Sequence, residues 1–284
     1  MNVAPRYLGR GSWLARRDPR VLVLAVILFI FGVIHVWDGR FVLALFIAAL
    51  VYYRSAGIPW REVRRTWFVV SAFLLLLLLF NTFLTGGVVG GFRREDLHVF
   101  LTVPILGTPI SAESISYAAT QFLRALAMVA IGFPVAFAIA PSDFGVTFAG
   151  LRLPYKFAYA VDLTFRFLPS LGVDLQTTLD AQRIRGMDDR AGGNPITRLR
   201  RMAPVIVPLT VNAIAGAEDT IDAMDLRGFG TGPRTWLRHL AYDRTDRLLI
   251  LAFAALAIGL TVAGFVSTTS RVWVPQFLVD LAGR

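Results

Sequence analysis

Two six-residue stretches hold the side chains best suited to binding chemistry. Ala181–Gly186 reads AQRIRG and Ala223–Gly228 reads AMDLRG, so Ala-x-x-x-Arg-Gly is written twice, forty-two positions apart. A guanidinium is planar, always charged and carries its donors in a fork that fits carboxylates and carbonyls. Gly186 and Gly228 are placed as the left-handed residues that end helices. Arg185 and Arg227 then complement the negative end of the helix dipole. A capped helix end accounts for Arg-Gly alone, but for neither the alanines nor the duplication. Ala181 and Ala223 lie one turn before each arginine on the same face, where a small side chain leaves a notch beside the fork. With two copies, docking of each helix end into a groove on another protein is the stronger reading. Arg183 adds a second cation to the first copy. Asp222 and Asp225 flank the second alanine and are candidates to orient Arg227 or Arg183, whereas Met187-Asp188-Asp189 reads as solvated.

The sequence offers little that could catalyse. There is no cysteine, and His35, His98 and His239 stand apart from one another at no metal-ligand spacing. No HExxH, G-x-S-x-G or G-x-x-x-x-G-K-[ST] sequence occurs. We expect no catalytic site, no metal site and no cofactor in this chain. Asp162 and Arg166, spaced i, i+4, read as an ordinary helix salt bridge. Arg124, with Gln121 one turn before it, falls within a long apolar run, where a charge is costly. It is either functional or paired with a carboxylate or a backbone carbonyl.

The elements that must position the two arginine stretches are set by hydropathy. Mean hydropathy is +0.61 and 56% of the residues are hydrophobic. Apolar runs occur at 21–37, 41–53, 66–84, within 114–140, and at 248–266. A helix needs about 20 apolar residues to cross a bilayer, so these runs predict an all-α integral membrane protein with about five transmembrane helices. The second run is short for a span. The first run follows an arginine-rich leader but has no small-residue cleavage site before the next run, and we expect the first helix to be retained.

Of the 29 basic residues, 28 are arginine and one is Lys156. Five precede Val21, four lie in 54–65 and fourteen in 141–247. By the positive-inside rule those three segments are cytoplasmic and the C-terminus is outside. A basic patch placed so reads as topology and lipid contact, and nucleic-acid binding is not expected. The expected organisation is a basic N-terminus (1–20), a membrane domain of four spans (21–140), a cytoplasmic coupling-helix region (141–247), a final span (248–266) and a tail (267–284). TGGVVGGF (85–92) reads as a glycine-rich connector, and Pro104 and Pro109 bracket a loop or interfacial piece.

Within 141–247 the helix period is explicit. Leu168, Leu171, Leu175 and Leu179 recur every three or four residues, as do Val207, Val211, Ile214, Ala217, Ile221 and Met224. Ser142-Asp143 supplies an N-cap signal for a short first helix. Pro154 and Pro169 are expected to break or kink the chain beyond it, and AGGNP (191–195) stops a helix. A second long helix is expected to start after Pro204 or Pro208 and to run on the order of 30 Å to Arg227.

The order of several short motifs resembles one family. GSWLARRDPR (11–20, with Asp18-Pro19-Arg20 at its core), APSDF (140–144), LRLP (151–154), RFLP (166–169), AQRIRG and AMDLRGFG follow one another as in the transmembrane (T) components of energy-coupling factor transporters, a branch of ABC-type importers. The resemblance is weakest in spans two to four and after Gly230. It implies a non-catalytic coupling subunit in a bacterial or archaeal plasma membrane. The implied partners are two ABC ATPase subunits, which bind the ATP and Mg, and a membrane-embedded substrate-binding (S) subunit for a vitamin or transition-metal ion. Carried over by position, Arg185 would enter one ATPase and Arg227 the other, with Ala181, Gly186, Ala223 and Gly228 shaping the contacts. Leu168, Leu171, Leu175, Val207, Val211 and Ile214 are candidates for the S-subunit contact, or for packing within this chain. The main alternative is an ordinary ABC importer permease, which would line its own substrate path with polar residues.

Overall fold

The computed structural model describes residues 11–85, 98–102, 109–187, 194, 200, 202–232, 236, 240–266 and 273–282. Contacts divide the chain into a membrane unit, Arg6–Ala140 with Ala241–Arg284, and a second unit, Met1–Pro5 with Pro141–Leu240.

In the membrane unit, Asp18-Pro19-Arg20 opens the first helix. Asp18 is the N-cap, and its carboxylate accepts the Arg20 backbone N–H at 2.9 Å; Pro19 fills the first helical position, where a missing N–H costs nothing. Helix α1 (Pro19–Ile34) is followed after a short turn by helix α2 (Gly39–Ser55, capped by Asp38). At 1.5 Å per residue each is about 25 Å long, short of the roughly 30 Å of a hydrocarbon core. Helix α3 (Trp60–Thr85), helix α4 (Ala112–Ala138) and helix α8 (Arg244–Val266) are long and apolar enough to cross a membrane.

Helix α4 packs against α2, α1 and α3, and α1 packs against α8. The core holds Phe29, Val33, Val36, Val42, Leu45, Ala49, Ala127, Ala130 and Ile131. Gly32 lets α1 and α8 touch, since a Cβ there would stand 3.0 Å from the backbone of Ala257. Helix α3 is different. Phe68 is 76% and Leu76 67% exposed, in a helix that is apolar nearly all round beyond its first turns. Such a surface belongs in lipid.

Apart from helices and 3-10 turns, the described residues contain one antiparallel hairpin, β1 (Val99–Thr102) with β2 (Pro109–Ser111), where the sequence suggested a loop or interfacial piece. Pro109 is tolerated because it opens a two-stranded edge. Ser111 then begins α4 through a capping box, exchanging hydrogen bonds with Ser114. Glu113 pairs with His98 Nδ1 at 2.8 Å and accepts the His98 N–H at 3.2 Å, tying the hairpin to the helix. Most of the glycine-rich 85–92 stretch, Pro104 and His239 lie outside the described residues.

Arg124 is 7% exposed on α4. Its Nη2 donates to the Val36 carbonyl just past the end of α1, and its guanidinium lies over the Trp37 ring at 4.8 Å. Of the partners the sequence left open, a backbone carbonyl is the one found.

A second polar cluster joins the two ends of the membrane unit. Arg17 donates to the Thr245 hydroxyl, pairs with Asp243 at 3.5 Å, lies 4.0 Å from Asp246 and stacks on Trp13. Arg20 covers the Tyr242 ring at 3.9 Å. Asp246, 3% exposed, accepts the Asp243 N–H at 3.1 Å from the third position of α8. The Arg244 N–H, then the Thr245 hydroxyl, hold the Asp243 carboxyl below the usual carboxylate range, with Arg17 adding to them. What that carboxylate contributes is therefore present at neutral pH and lost as pH falls through its lowered value. Asp246→Ala is expected to cost about 1 kcal/mol, because it removes the acceptor of the Asp243 N–H and a buried carboxylate beside Arg17. Asp246→Asn should cost less than half of that, since its amide oxygen still accepts from Asp243. Melting of the purified chain in detergent checks both; an unchanged melting temperature for Asp246→Ala would remove the cluster from the stabilising contacts.

Candidate coupling site

The regular structure among the described residues of the second unit is helical. A 3-10 turn (Pro141–Asp143) leads into α5 (Phe144–Gly150), with α6 (Tyr155–Ile184) and α7 (Ala203–Leu226) after it. The helix after Ser142-Asp143 starts where the sequence placed it, but Asp143 makes no side-chain cap hydrogen bond. Pro154 stands just before α6, whereas Pro169 lies inside it and Pro208 inside α7. The expected break at Pro169 is therefore absent: the proline forfeits one hydrogen bond, to the Phe165 carbonyl, in a helix of 30 residues. Helices α5 and α6 join through stacked Phe144 and Phe165, and Asp162 pairs with Arg166 at 3.5 Å.

Both Ala-x-x-x-Arg-Gly stretches close helices with the same hydrogen bonds. At the end of α6 the Gly186 N–H reaches the Arg183 carbonyl and the Met187 N–H the Gln182 carbonyl, both at 3.0 Å. At the end of α7 the Gly228 N–H reaches Asp225 at 2.9 Å and the Phe229 N–H reaches Met224 at 3.0 Å. These are paired Schellman motifs, and they need a left-handed residue. Gly186 has φ +89° and Gly228 φ +63°. Arg185 and Arg227 are the C-cap residues, and both are exposed, as are Ala181 and Ala223. Arg183 pairs with Asp180 at 2.9 Å, a partner on its own helix and not the Asp222 or Asp225 that the sequence suggested. Asp188, Asp189 and AGGNP, except Asn194, lie outside the described residues.

The two tips sit at opposite ends of α6. Phe229 packs on Tyr155 and Tyr159 with ring centroids at 5.6 and 4.5 Å, and the Tyr159 hydroxyl donates to the Met224 sulfur at 3.7 Å. The arginine tip of α7 is thus held beside the first turns of α6. The other tip is the far end of α6, about 40 Å away along the helix. Leu168, Leu171 and Leu175 on α6 are exposed, as are Val207, Val211 and Ile214 on α7. Among the described residues, all six leave aliphatic surface open to a partner.

The shared geometry extends further than the six-residue motif. Residues 178–187 read TLDAQRIRGM and residues 220–229 read TIDAMDLRGF. Thr178 bonds back to the Asp174 carbonyl and Thr220 to the Gly216 carbonyl, at 2.7 and 2.8 Å. Ile184 and Leu226, each just before the C-cap arginine, are 88% and 90% exposed. Aligning the two stretches outward from Ala-x-x-x-Arg-Gly would have found these positions; reading for charge and glycine alone passes over them.

Three helices long and apolar enough to cross a bilayer define a membrane protein, and the two matched arginine tips are its candidate site. The cobalt transport protein family, CbiQ, matches residues 10–236, a span that includes both tips. The chain is 27% identical over 268 residues to the energy-coupling factor transporter transmembrane protein EcfT of Staphylococcus aureus, covering 89% of this chain and 93% of that one. It is 28% identical over 279 residues to the EcfT of Leuconostoc gelidum subsp. gasicomitatum, covering 93% and 96%. The EcfT of Exiguobacterium sibiricum is 38% identical over 114 residues, 39% of this chain and 43% of that protein. This chain belongs to the CbiQ family, the group that its sequence motifs resembled.

Proposed function

We propose that this chain is the transmembrane coupling subunit of an energy-coupling factor importer, which carries the motion of two ABC ATPase subunits to a membrane-embedded substrate-binding subunit. The observation that carries this reading is the pair of matched arginine tips at the two ends of α6. One partner groove needs one tip; two tips about 40 Å apart along a helix serve two grooves. When ATP draws the two ATPases together, the grooves approach, and helices held in them by charged forks are levered with them. Helices α6 and α7 pass that motion along their exposed aliphatic faces, Leu168, Leu171 and Leu175 with Val207, Val211 and Ile214, to the substrate-binding subunit.

In this reading α1, α2, α3, α4 and α8 are five spans in a bacterial or archaeal plasma membrane, with the arginine-rich N-terminus and coupling helices cytoplasmic. The short α1 and α2 are accommodated by local thinning of the bilayer. ATP and Mg are bound by the ATPases, and the cargo, a vitamin or transition-metal ion, is recognised by the substrate-binding subunit. An ordinary permease would direct polar side chains into a path between its spans. In α4 they are turned back instead: Ser116 donates to the Ala112 carbonyl, Thr120 to the Ser116 carbonyl and Gln121 to the Tyr117 hydroxyl. Co-expression with the ATPase and substrate-binding subunits of the same importer tests the proposal. The chain should co-purify with them, and uptake in vesicles should need every subunit. Translocation of solute by this chain alone would overturn the proposal in favour of the permease.

A further inference from the structure

The two tips match in fold and differ in one charge. Over 178–187 and 220–229 the Thr, Asp, Ala, Arg and Gly positions are identical, and three more pair Leu with Ile, Ile with Leu and Met with Phe. The remaining two pair Gln182 with Met224 and Arg183 with Asp225. Only the second of these reverses charge. Both Arg183 and Asp225 are exposed, on helix ends whose caps are otherwise the same. Each adjoins an aliphatic side chain that is about nine-tenths exposed and has the C-cap arginine on its other flank. A solvated helix end gains nothing from an isoleucine or leucine held in water, and here the arrangement occurs twice. The cost is recovered when a partner buries the side chain; an aliphatic residue of this size gives about 1.5–3 kcal/mol on full burial.

Resting on the coupling reading above, we propose that each tip is a two-part plug whose aliphatic knob, Ile184 or Leu226, seats in an apolar socket of an ATPase groove. The C-cap arginine engages acceptors at the socket's edge. The reversal at Arg183 and Asp225 assigns each plug to its own groove. The groove that receives α6 is acidic opposite Arg183, and the groove that receives α7 is basic opposite Asp225. The two ATPase subunits therefore differ at that rim position, because one rim cannot complement both charges.

The native chain has no cysteine, so a single Gln182→Cys or Met224→Cys substitution gives a clean cross-linking probe at either tip. In the assembled complex, with the two ATPases carrying different tags, each probe should capture a different subunit. Arg183→Asp should lower retention of the ATPase at α6 about tenfold, and Asp225→Arg that of the ATPase at α7, as expected for like charges brought together. In the Arg183→Asp/Asp225→Arg double variant the captured partners should exchange. Ile184→Ser and Leu226→Ser should each weaken retention at their own tip about tenfold without changing the partner captured. Melting of the isolated chain reports folding for every variant. Capture of the same subunit by both probes, or partners unmoved by the charge variants, overturns the assignment of plugs to grooves. Full retention of both serine variants overturns the knob. The Arg185→Ala/Arg227→Ala variant separates the two levels of the proposal. If it loses both ATPases while the other variants change nothing, only this inference falls; if it keeps both, the coupling reading falls with it.

Discussion

Replacing Arg185 and Arg227 together with alanine is expected to abolish ATP-driven uptake and to leave the chain folded. Folding should survive because the bonds that close α6 and α7 run from backbone N–H groups to backbone carbonyls, with Gly186 and Gly228 supplying the left-handed turn. Loss of each C-cap cation removes about 0.3–1 kcal/mol of dipole interaction at an exposed helix end. That is too little to unfold helices of 30 and 24 residues. At the partner surface the same change is larger, since a hydrogen bond to a charged group is worth about 1.5–3 kcal/mol. Two such losses weaken assembly by a factor on the order of 10² to 10⁴. Arg→Lys at both positions keeps the charge but not the fork, and should recover only part of the association. Retention of tagged ATPases, vesicle uptake and melting of the isolated variant measure the three quantities. Normal assembly and uptake by the alanine variant would leave the tips as capped helix ends and nothing more.

These tips were legible in sequence because they depend on local chemistry. Glycine after arginine, alanine one turn earlier and an apolar repeat of three to four residues fixed where α6 and α7 end. The long apolar runs likewise located α3, α4 and α8. What escaped was set by distant partners or by competition between weak signals. Pro169 reads as a break or kink and Pro208 as one of two possible starts of α7, yet one missing hydrogen bond does not end an otherwise continuous helix. The strands at 99–102 and 109–111 are too short for a period to emerge, and the His98–Glu113 pair that flanks them joins residues fifteen positions apart. The Arg17 cluster joins residues 226 and more positions apart. Nothing in the local sequence distinguishes Arg17 and Asp246 from solvated charges, and only the fold buries Asp246. Ile184 and Leu226 escaped for a different reason: they fall off the apolar repeats of α6 and α7, and their exposure is a property of where each helix stops.

Arg124 allows the sharpest test of what a cation does among the spans. Among the described residues no carboxylate pairs with it; its neighbours are the Val36 carbonyl and the Trp37 ring. The carbonyl follows the last turn of α1, so the guanidinium meets the negative end of a helix and the face of an aromatic ring, which together stand in for an anion. Arg124→Met keeps much of the volume and removes every donor. It leaves the carbonyl of buried Val36 without that partner, a loss of about 1–3 kcal/mol, and forfeits the cation–π contact as well. Relief from burying a charge offsets part of this, so a net loss of about 2 kcal/mol is expected. Arg124→Lys should recover less than half, because an ammonium has neither the reach nor the planar face. Melting in detergent and Trp37 fluorescence should change together, since the α1–α2 turn is what the arginine holds against α4. If Arg124→Met melts like the native chain but uptake fails, the cation belongs to the transport step and not to the scaffold. If melting falls while uptake per folded molecule is preserved, Arg124 is a fastener between helices.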